Sequence, residues 1–91
     1  MMRYEFRWIA WNAEHIGKHG VSMAEAELVV DGARRPYPEY RGDEKWLVIG
    51  RGLAGRLVQV VYLIDEGGTL FVIHARPLTN QEKRRYRRRQ R

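Results

Sequence analysis

The chain has 91 residues, no cysteine and a formal net charge of +6. This length predicts a single domain with a modest core, and the lack of cysteine excludes disulfides and Cys-based zinc sites. Seven of the last nine residues are Lys or Arg, so residues 1–82 together carry a charge of −1. The basic segment is therefore C-terminal, where it is suited to bind phosphates or an acidic protein, or to form a solvated tail.

No segment predicts a membrane or secretion signal. The longest apolar run, Leu57–Ile64, contains Gln59 and is too short to span a bilayer. The N-terminal residues Met1–Glu5 lack the apolar core of a signal peptide. We expect a cytoplasmic protein without a membrane partner, in which residues 1–91 form one domain and residues 80–91 form its basic C-terminal helix and tail.

The first predicted elements are a strand and two helices. Alternation over Tyr4–Trp8 indicates a short, half-buried strand. Asn12–His19 is expected to be a helix that ends at Gly20. The capping box Ser22–Glu25 predicts a second helix over Met23–Val30. The residues expected to share one apolar face of this helix are Met23, Ala26, Val29 and Val30.

The segment Asp31–Glu44 has no apolar period and contains two glycines and two prolines. A loop of this length in a small domain is usually functional or mobile. Its arginines and tyrosines are suited to phosphate contacts and base stacking, but a connector whose tyrosines fold back on the core is an equal alternative. The residues concerned are Arg34, Arg35, Tyr37, Tyr40 and Arg41.

Three β-rich segments follow, Lys45–Gly50, Leu57–Ile64 and Thr69–Arg76, and they predict an antiparallel meander. A second capping box, Thr79–Glu82, predicts a terminal helix over Asn80–Arg89. The element order is β-α-α-β-β-β-α. The expected class is α+β, with a small antiparallel sheet of three to four strands, two N-terminal helices and one C-terminal helix.

The register of the last hairpin depends on its turn. If Asp65–Gly68 is a four-residue turn, three pairs share the face that the helices cover. These pairs are Tyr62 with Phe71, Val60 with Ile73, and Val58 with Ala75. The opposite face then carries Gln59, His74 and Arg76. His74 and Arg76 share a face whatever the turn, because they lie two apart in one strand.

Several of these side chains are suited to phosphodiester chemistry. His74 can transfer a proton near neutral pH, and Arg76 can bind a phosphate, unless Arg76 pairs with a carboxylate such as Glu82. Arg51 and Arg56 flank a Gly-rich turn and could clamp a phosphate, although a hairpin loop with solvated charges is as good an interpretation.

Two histidines lie four residues apart, at His15 and His19. This spacing can ligate zinc, but the glutamate of metalloproteases is missing and no further ligand cluster presents itself. We therefore expect neither a metal nor a cofactor. Lys18 and His19, at the end of the first helix, are free to reach a ligand.

The terminal helix has two kinds of cation. Glu82, Arg85, Tyr86 and Arg89 recur at helical spacing and share one face. The remaining arginines are expected to be solvated and available for electrostatic contact; they are Arg84, Arg87, Arg88 and Arg91.

Three motifs together resemble BrnT-type toxins. Asn12–Ser22 with Glu25–Glu27 resembles the front half of that family, and Leu47–Arg56 its central hairpin. Ala75–Thr79 with Glu82–Tyr86 resembles the closing strand and helix. The motif positions include Lys18, His19, Arg51, Arg56, Arg76 and Tyr86. The sequence departs from the family pattern at Ile9–Trp11 and at His74, where a small residue is common.

The resemblance implies a RelE-like fold and a type II toxin–antitoxin ribonuclease that inhibits translation, neutralised by an antitoxin with a DNA-binding domain. The mechanism we expect is metal-independent: the 2′-OH of RNA attacks the adjacent phosphate, with His19 or His74 as base and Arg51, Arg56 and Arg76 stabilising the charge. The RNA-binding residues expected are Lys18, Arg34, Arg35, Arg41, Arg84, Arg85, Tyr86 and Arg88. A homodimer and a hetero-oligomer with the antitoxin both remain open.

Two alternatives belong to other functional classes. One is a non-catalytic nucleic-acid-binding module that uses the tail and the Arg/Tyr loop. The other is an interaction domain whose basic tail docks on an acidic protein. Cleavage of labelled RNA separates the first interpretation from both.

Overall fold

The computed structural model describes residues 4–90, which form three helices and a five-stranded mixed sheet. The strands are β1 (Phe6–Arg7), β2 (Glu39–Tyr40), β3 (Trp46–Arg51), β4 (Leu57–Ile64) and β5 (Leu70–Pro77). The helices are α1 (Ala10–Gly17), α2 (Met23–Asp31) and α3 (Asn80–Arg89). The sheet order is β1-β5-β4-β3-β2, with β1 parallel to β5 and every other neighbouring pair antiparallel.

The α+β class, the meander β3-β4-β5 and the bounds of α3 are as predicted. The sheet has five strands instead of three to four, because the Pro-containing segment adds the short edge strand β2. It is also mixed, because β1 joins β5 in parallel. Among residues 4–90, no helix has the length and apolar character needed to cross a bilayer.

The helix α1 begins two residues before the predicted start at Asn12, and Asn12 itself explains why. Its side chain accepts a hydrogen bond from the Ile9 N–H at 2.8 Å, and so satisfies one of the free amides at the helix start. The same amide group donates to the carbonyls of Arg7 (3.2 Å) and Val72 (3.0 Å). Asn12 is fully buried, so it joins α1 to both β1 and β5. The helix also ends earlier than predicted, at Gly17.

The helix α2 covers one face of the sheet over β3 and β4, and α1 packs along β5. The core lies between these helices and the sheet. The α2 side chains that contribute to this core are Ala26, Val29 and Val30, as predicted, whereas Met23 is 46% exposed and does not. The sheet residues on the covered face include Val48, Val58, Val60, Tyr62, Leu70, Val72 and Ala75.

The predicted register of the last hairpin is wrong in two respects. Ile64 pairs with Leu70 instead of Thr69, so Tyr62 faces Val72 instead of Phe71. A β-bulge then follows between Val61 and Tyr62, because Val61 pairs with His74. The extra residue in β5 reverses its alternation. Before the bulge, Leu70 and Val72 are buried instead of the predicted Phe71 and Ile73. After it, Ala75 is buried and the opposite, outer side carries His74 and Arg76, both as predicted.

A buried carboxylate ties α2 to the Gly-rich turn after β3. Glu25 is 1% exposed. It accepts from the Arg56 guanidinium at 2.8 and 2.5 Å and from the Leu53 N–H at 2.9 Å. Gly52 is needed here, because a Cβ at that position would collide with the Glu25 side chain. The turn thus binds an internal carboxylate, which takes the place of the predicted phosphate. Ser22 still caps α2 by accepting from the Glu25 N–H.

The Glu25–Arg56 pair predicts that two substitutions lower the unfolding free energy by different amounts. In Arg56→Met the Glu25 carboxylate stays buried without its cation, so we expect a loss of about 3 kcal/mol in unfolding free energy. In Glu25→Gln the Arg56 side chain, which is 40% exposed, can turn to water, so the loss should be about 1 kcal/mol. Urea unfolding of both variants measures the difference. Equal losses, or a larger loss in Glu25→Gln, would contradict this account.

Candidate nucleic-acid interface

The outer face of the sheet is only partly covered, and α3 lies beside it with a groove between. Two adjoining cavities of about 480 and 320 Å³ form this groove and share Ile49 and Tyr86 as lining residues. We name both together the tyrosine groove. Their volumes lie in the range of small-ligand sites, about 300–1,000 Å³. The sheet contributes Leu47, Ile49, Gln59 and Val61, and α3 contributes Glu82, Arg85, Tyr86 and Arg89.

The helix α3 has no fully buried side chain. Its Tyr86 packs partly buried against the core, and polar contacts hold its two ends. At its start, Thr79 and Glu82 form the predicted capping box. The carboxylate of Glu82 also receives two hydrogen bonds of 2.7 Å from Arg76 on β5. At its end, Arg89 donates to Glu39 of β2 at 2.8 Å. A free helix of this length is marginal in water, so these two ion pairs position α3.

Two stacked tyrosines form the aromatic part of the groove. The rings of Tyr37 and Tyr86 are nearly parallel, with centroids 6.4 Å apart, and the Arg89 guanidinium lies 5.5 Å from the Tyr37 ring centre. Tyr37 is buried, and burial raises the pKa of its hydroxyl. The interpretation in which a tyrosine of this loop folds back on the core is therefore confirmed for Tyr37. Tyr40 is 54% exposed, and its ring lies 5.1 Å from that of Trp46.

The cations around the groove differ in how they are satisfied. Arg41 and Arg89 both bind Glu39, and the hydrogen bond from Arg89 is the main reason why the pKa of Glu39 is lowered. Lys45 and Arg85 have no ion pair within residues 4–90. Arg34 and Arg51 line the smaller cavity. The groove therefore has unpaired positive charge on the side of α3 and at both ends.

The expected cluster of Arg51, Arg56 and Arg76 does not form a phosphate clamp. Arg56 is paired with Glu25 and also donates to the Gly20 carbonyl at 2.7 Å. Arg76 is paired with Glu82, the alternative stated for it above. Neither lines the two cavities of the groove. Arg51 does, although its guanidinium also donates to the Gly55 carbonyl at 2.8 Å. Two of the three guanidiniums are thus bound by the protein's own carboxylates.

Three histidines meet at the end of α1. His74 on β5 lies beside His15 on α1 and His19 in the turn that follows, with ring centroids 5.6–6.2 Å apart. The expectation that no further ligand joins His15 and His19 is therefore wrong. The bulge in β5 brings His74 there, and no sequence pattern indicated the bulge. Burial, with smaller contributions from His19, Arg76 and His15, lowers the pKa of His74.

The other predicted RNA-binding residues lie in different places. Arg41, Arg85 and Tyr86 line the larger cavity, and Arg34 lines the smaller one. The rest are exposed cations that line neither cavity: Lys18, Arg35, Arg84 and Arg88. Arg91 lies outside the described residues.

Two cations that line the larger cavity, Lys45 and Arg89, were not predicted as binding residues. Lys45 directly precedes β3, and only the position of α3 relative to the sheet brings it to the cavity. Arg89 shares a helix face with Arg85 and Tyr86, and that periodicity was the available signal.

The chain matches no protein-family model, no curated protein and no solved structure. The likeness to BrnT-type toxins thus stays a prediction from sequence motifs.

The Arg76–Glu82 pair predicts a pH effect. It lowers the pKa of Glu82 from its ordinary 4.5 to about 2. Because the folded pKa is the lower one, the pair stabilises the fold fully above pH 4.5, and this contribution is lost as the pH falls towards 2. At neutral pH the unfolding free energy of wild type should exceed that of Glu82→Gln by about 1 kcal/mol, a modest value because the pair is partly exposed.

Urea unfolding of both proteins across this pH range measures the effect, and the difference should shrink as the pH falls. The control is Glu66→Gln, which changes an exposed carboxylate with no ion pair in residues 4–90 and should stay within about 0.5 kcal/mol of wild type. A constant difference between wild type and Glu82→Gln would contradict the assigned pKa.

Proposed function

We propose that this protein is a cytoplasmic toxin of a type II toxin–antitoxin pair that binds RNA in the tyrosine groove and cleaves it, thereby inhibiting translation. The observation that carries the proposal is the groove itself, in which unpaired cations surround an aromatic pair. This combination suits a single-stranded nucleic acid, whose phosphates bind cations and whose bases stack on aromatic rings.

The charges of α3 support a polyanionic partner. Lys83, Arg84, Arg85, Arg87 and Arg88 have no ion pair in the described part of the chain. Cations that remain unpaired in this way release counterions when they contact phosphates, and this favours binding at low salt. Since α3 borders the groove, its charge also raises the local concentration of RNA there.

The BrnT-like motifs support the choice of a toxin. The order strand, two helices, three-stranded meander and helix resembles the order implied by the resemblance, although the structure adds the strand β2 and places β1 parallel to β5. A toxin of this class requires an antitoxin partner. The same resemblance implies that this partner has a DNA-binding domain.

A non-catalytic RNA-binding module is the second candidate, and a specific observation favours it. Arg56 and Arg76, expected to stabilise the transition state, are held by Glu25 and Glu82. The substitution Arg76→Ala would also remove the ion pair through which β5 holds Glu82 and the start of α3. Loss of growth arrest in that variant would consequently not identify a catalytic guanidinium.

RNA binding can be tested with a matched pair of arginines. Both arginines are exposed, but Arg85 lines the groove and the adjacent Arg84 does not. Arg85→Ala should weaken binding of a short single-stranded RNA about tenfold, because it removes a phosphate contact worth about 1.4 kcal/mol. Arg84→Ala has the same charge change and should cost about two- to threefold. Fluorescence anisotropy at fixed salt measures both.

A second matched pair tests base stacking in the same assay. Tyr86→Leu keeps apolar bulk in the groove but removes the ring, and should cost about 1 kcal/mol or more of RNA-binding free energy. Tyr40→Leu changes an exposed tyrosine outside the groove and should have little effect. If either groove variant binds RNA as its control does, RNA does not bind in the groove.

Cleavage is tested with labelled RNA in the presence of a chelator. We expect fragments that end in a 2′,3′-cyclic phosphate, since the 2′-OH is the proposed nucleophile, and we expect growth arrest when the protein is expressed in bacteria without an antitoxin. A salt-sensitive gel shift without cleavage would replace the toxin proposal with the non-catalytic module. Absence of both binding and cleavage would overturn both candidates.

A further inference from the structure

The three histidines of the α1–β5 cluster are the only histidines in the chain. His15 lies in the last turns of α1, His19 in the turn that follows, and His74 just after the β5 bulge. One ligand nitrogen from each ring lies within 4.8 Å of the other two. None of the three side chains makes a hydrogen bond within residues 4–90, so their ring nitrogens are free to bind something else.

We propose that His15, His19 and His74 form a binding site for a divalent transition metal, of which Zn²⁺ fits best. Imidazole nitrogen is a preferred ligand of Zn²⁺, Cu²⁺ and Ni²⁺. Three protein ligands leave a fourth position for water or another ligand, as in open zinc sites.

The geometry needs only a small adjustment. Nitrogens around a tetrahedral zinc ion at 2.0–2.1 Å lie about 3.3 Å apart, so atoms that now lie within 4.8 Å of one another need to approach by at most about 1.5 Å. His19 is exposed and can make most of this movement by side-chain rotation. His15 is already oriented, because its ring stacks on Trp11 with centroids 5.4 Å apart and an interplanar angle of 3°.

The surroundings are compatible with a cation. One charge that opposes it is Arg76, two residues after His74, but Arg76 is paired with Glu82 through two hydrogen bonds. His15 and His74 are half-buried, so the site is partly shielded from water on the side of α1 and β5. The fourth position then lies on the side of the exposed His19.

This site is separate from the surface proposed to bind RNA. It shares no lining residue with the tyrosine groove. A failure to bind metal would therefore leave RNA binding intact, and a protein without RNA cleavage can still bind metal. An imidazole nitrogen that ligates a metal cannot also accept a proton, so the metal-bound cluster would not provide the base expected for RNA cleavage.

The test uses the full chain without a polyhistidine tag. Isothermal titration with Zn²⁺ should give one ion per chain, and Co²⁺ should give the intense visible absorption of a four-coordinate site. The main variant is His19→Ala, because an exposed residue can be replaced without disturbing the core. It should bind Zn²⁺ at least tenfold more weakly, and Zn²⁺ should raise the melting temperature of wild type but not of this variant.

Two further variants complete the design. His74→Ala should lose affinity as His19→Ala does, with circular dichroism confirming that it is folded. Gly17→Ala is the control for changes at the end of α1, because a Cβ there meets no atom within 4 Å, and it should bind as wild type does. The proposal is overturned if His19→Ala retains wild-type affinity or if wild type binds no Zn²⁺. It is also overturned if the titration gives one ion per two chains and light scattering shows that Zn²⁺ doubles the molar mass.

Discussion

Two ion pairs, Arg76–Glu82 at the start of α3 and Arg89–Glu39 at its end, determine the functional surface of this protein. In this ten-residue helix Tyr86 is the only apolar side chain, and it is only partly buried against the core, so apolar packing alone holds the helix weakly. The pairs fix it beside the outer face of the sheet, at the distance that leaves the tyrosine groove open. They also explain why a helix with so many arginines is ordered and not simply a solvated tail.

Carboxylates control which arginines are available for a ligand. Glu25, Glu39 and Glu82 together bind Arg41, Arg56, Arg76 and Arg89. The Gly-rich turn shows this most clearly, because its backbone N–H and Arg56 hold the Glu25 carboxylate as they would hold an external anion. Within residues 4–90, the cations without ion pairs include Lys45 and Arg85 of the groove and the arginines on the outer side of α3. The predicted clamp is thus occupied by the protein's own carboxylates, whereas these cations remain available.

The sequence predicted most of the fold, because local signals specify it. Capping residues Ser22 and Thr79 located the starts of α2 and α3, and the β-rich segments located the meander. The register of β5 could not be predicted, because the bulge at His74 depends on tertiary packing and has no local signature. The same bulge creates the histidine cluster, so that feature was also beyond sequence reasoning.

For the candidate site, the sequence predicted the residue types better than their partners. The shared face of Arg85, Tyr86 and Arg89 followed from helical spacing. The pairing of Arg56 with Glu25 did not, because these residues are far apart in the chain and the capping-box motif gave Glu25 a different role. Lys45 was missed because it reaches the groove only through the placement of α3.

The most direct test of the central claim is NMR mapping of a short single-stranded RNA on the ¹⁵N-labelled protein. The account predicts that the largest amide shift changes cluster around the tyrosine groove, at Tyr37, Ile49, Arg85 and Tyr86. Changes spread evenly along the exposed side of α3, with none at Tyr37 or Ile49, would mean that the helix attracts RNA only by charge. That result would contradict a binding groove on the outer face of the sheet.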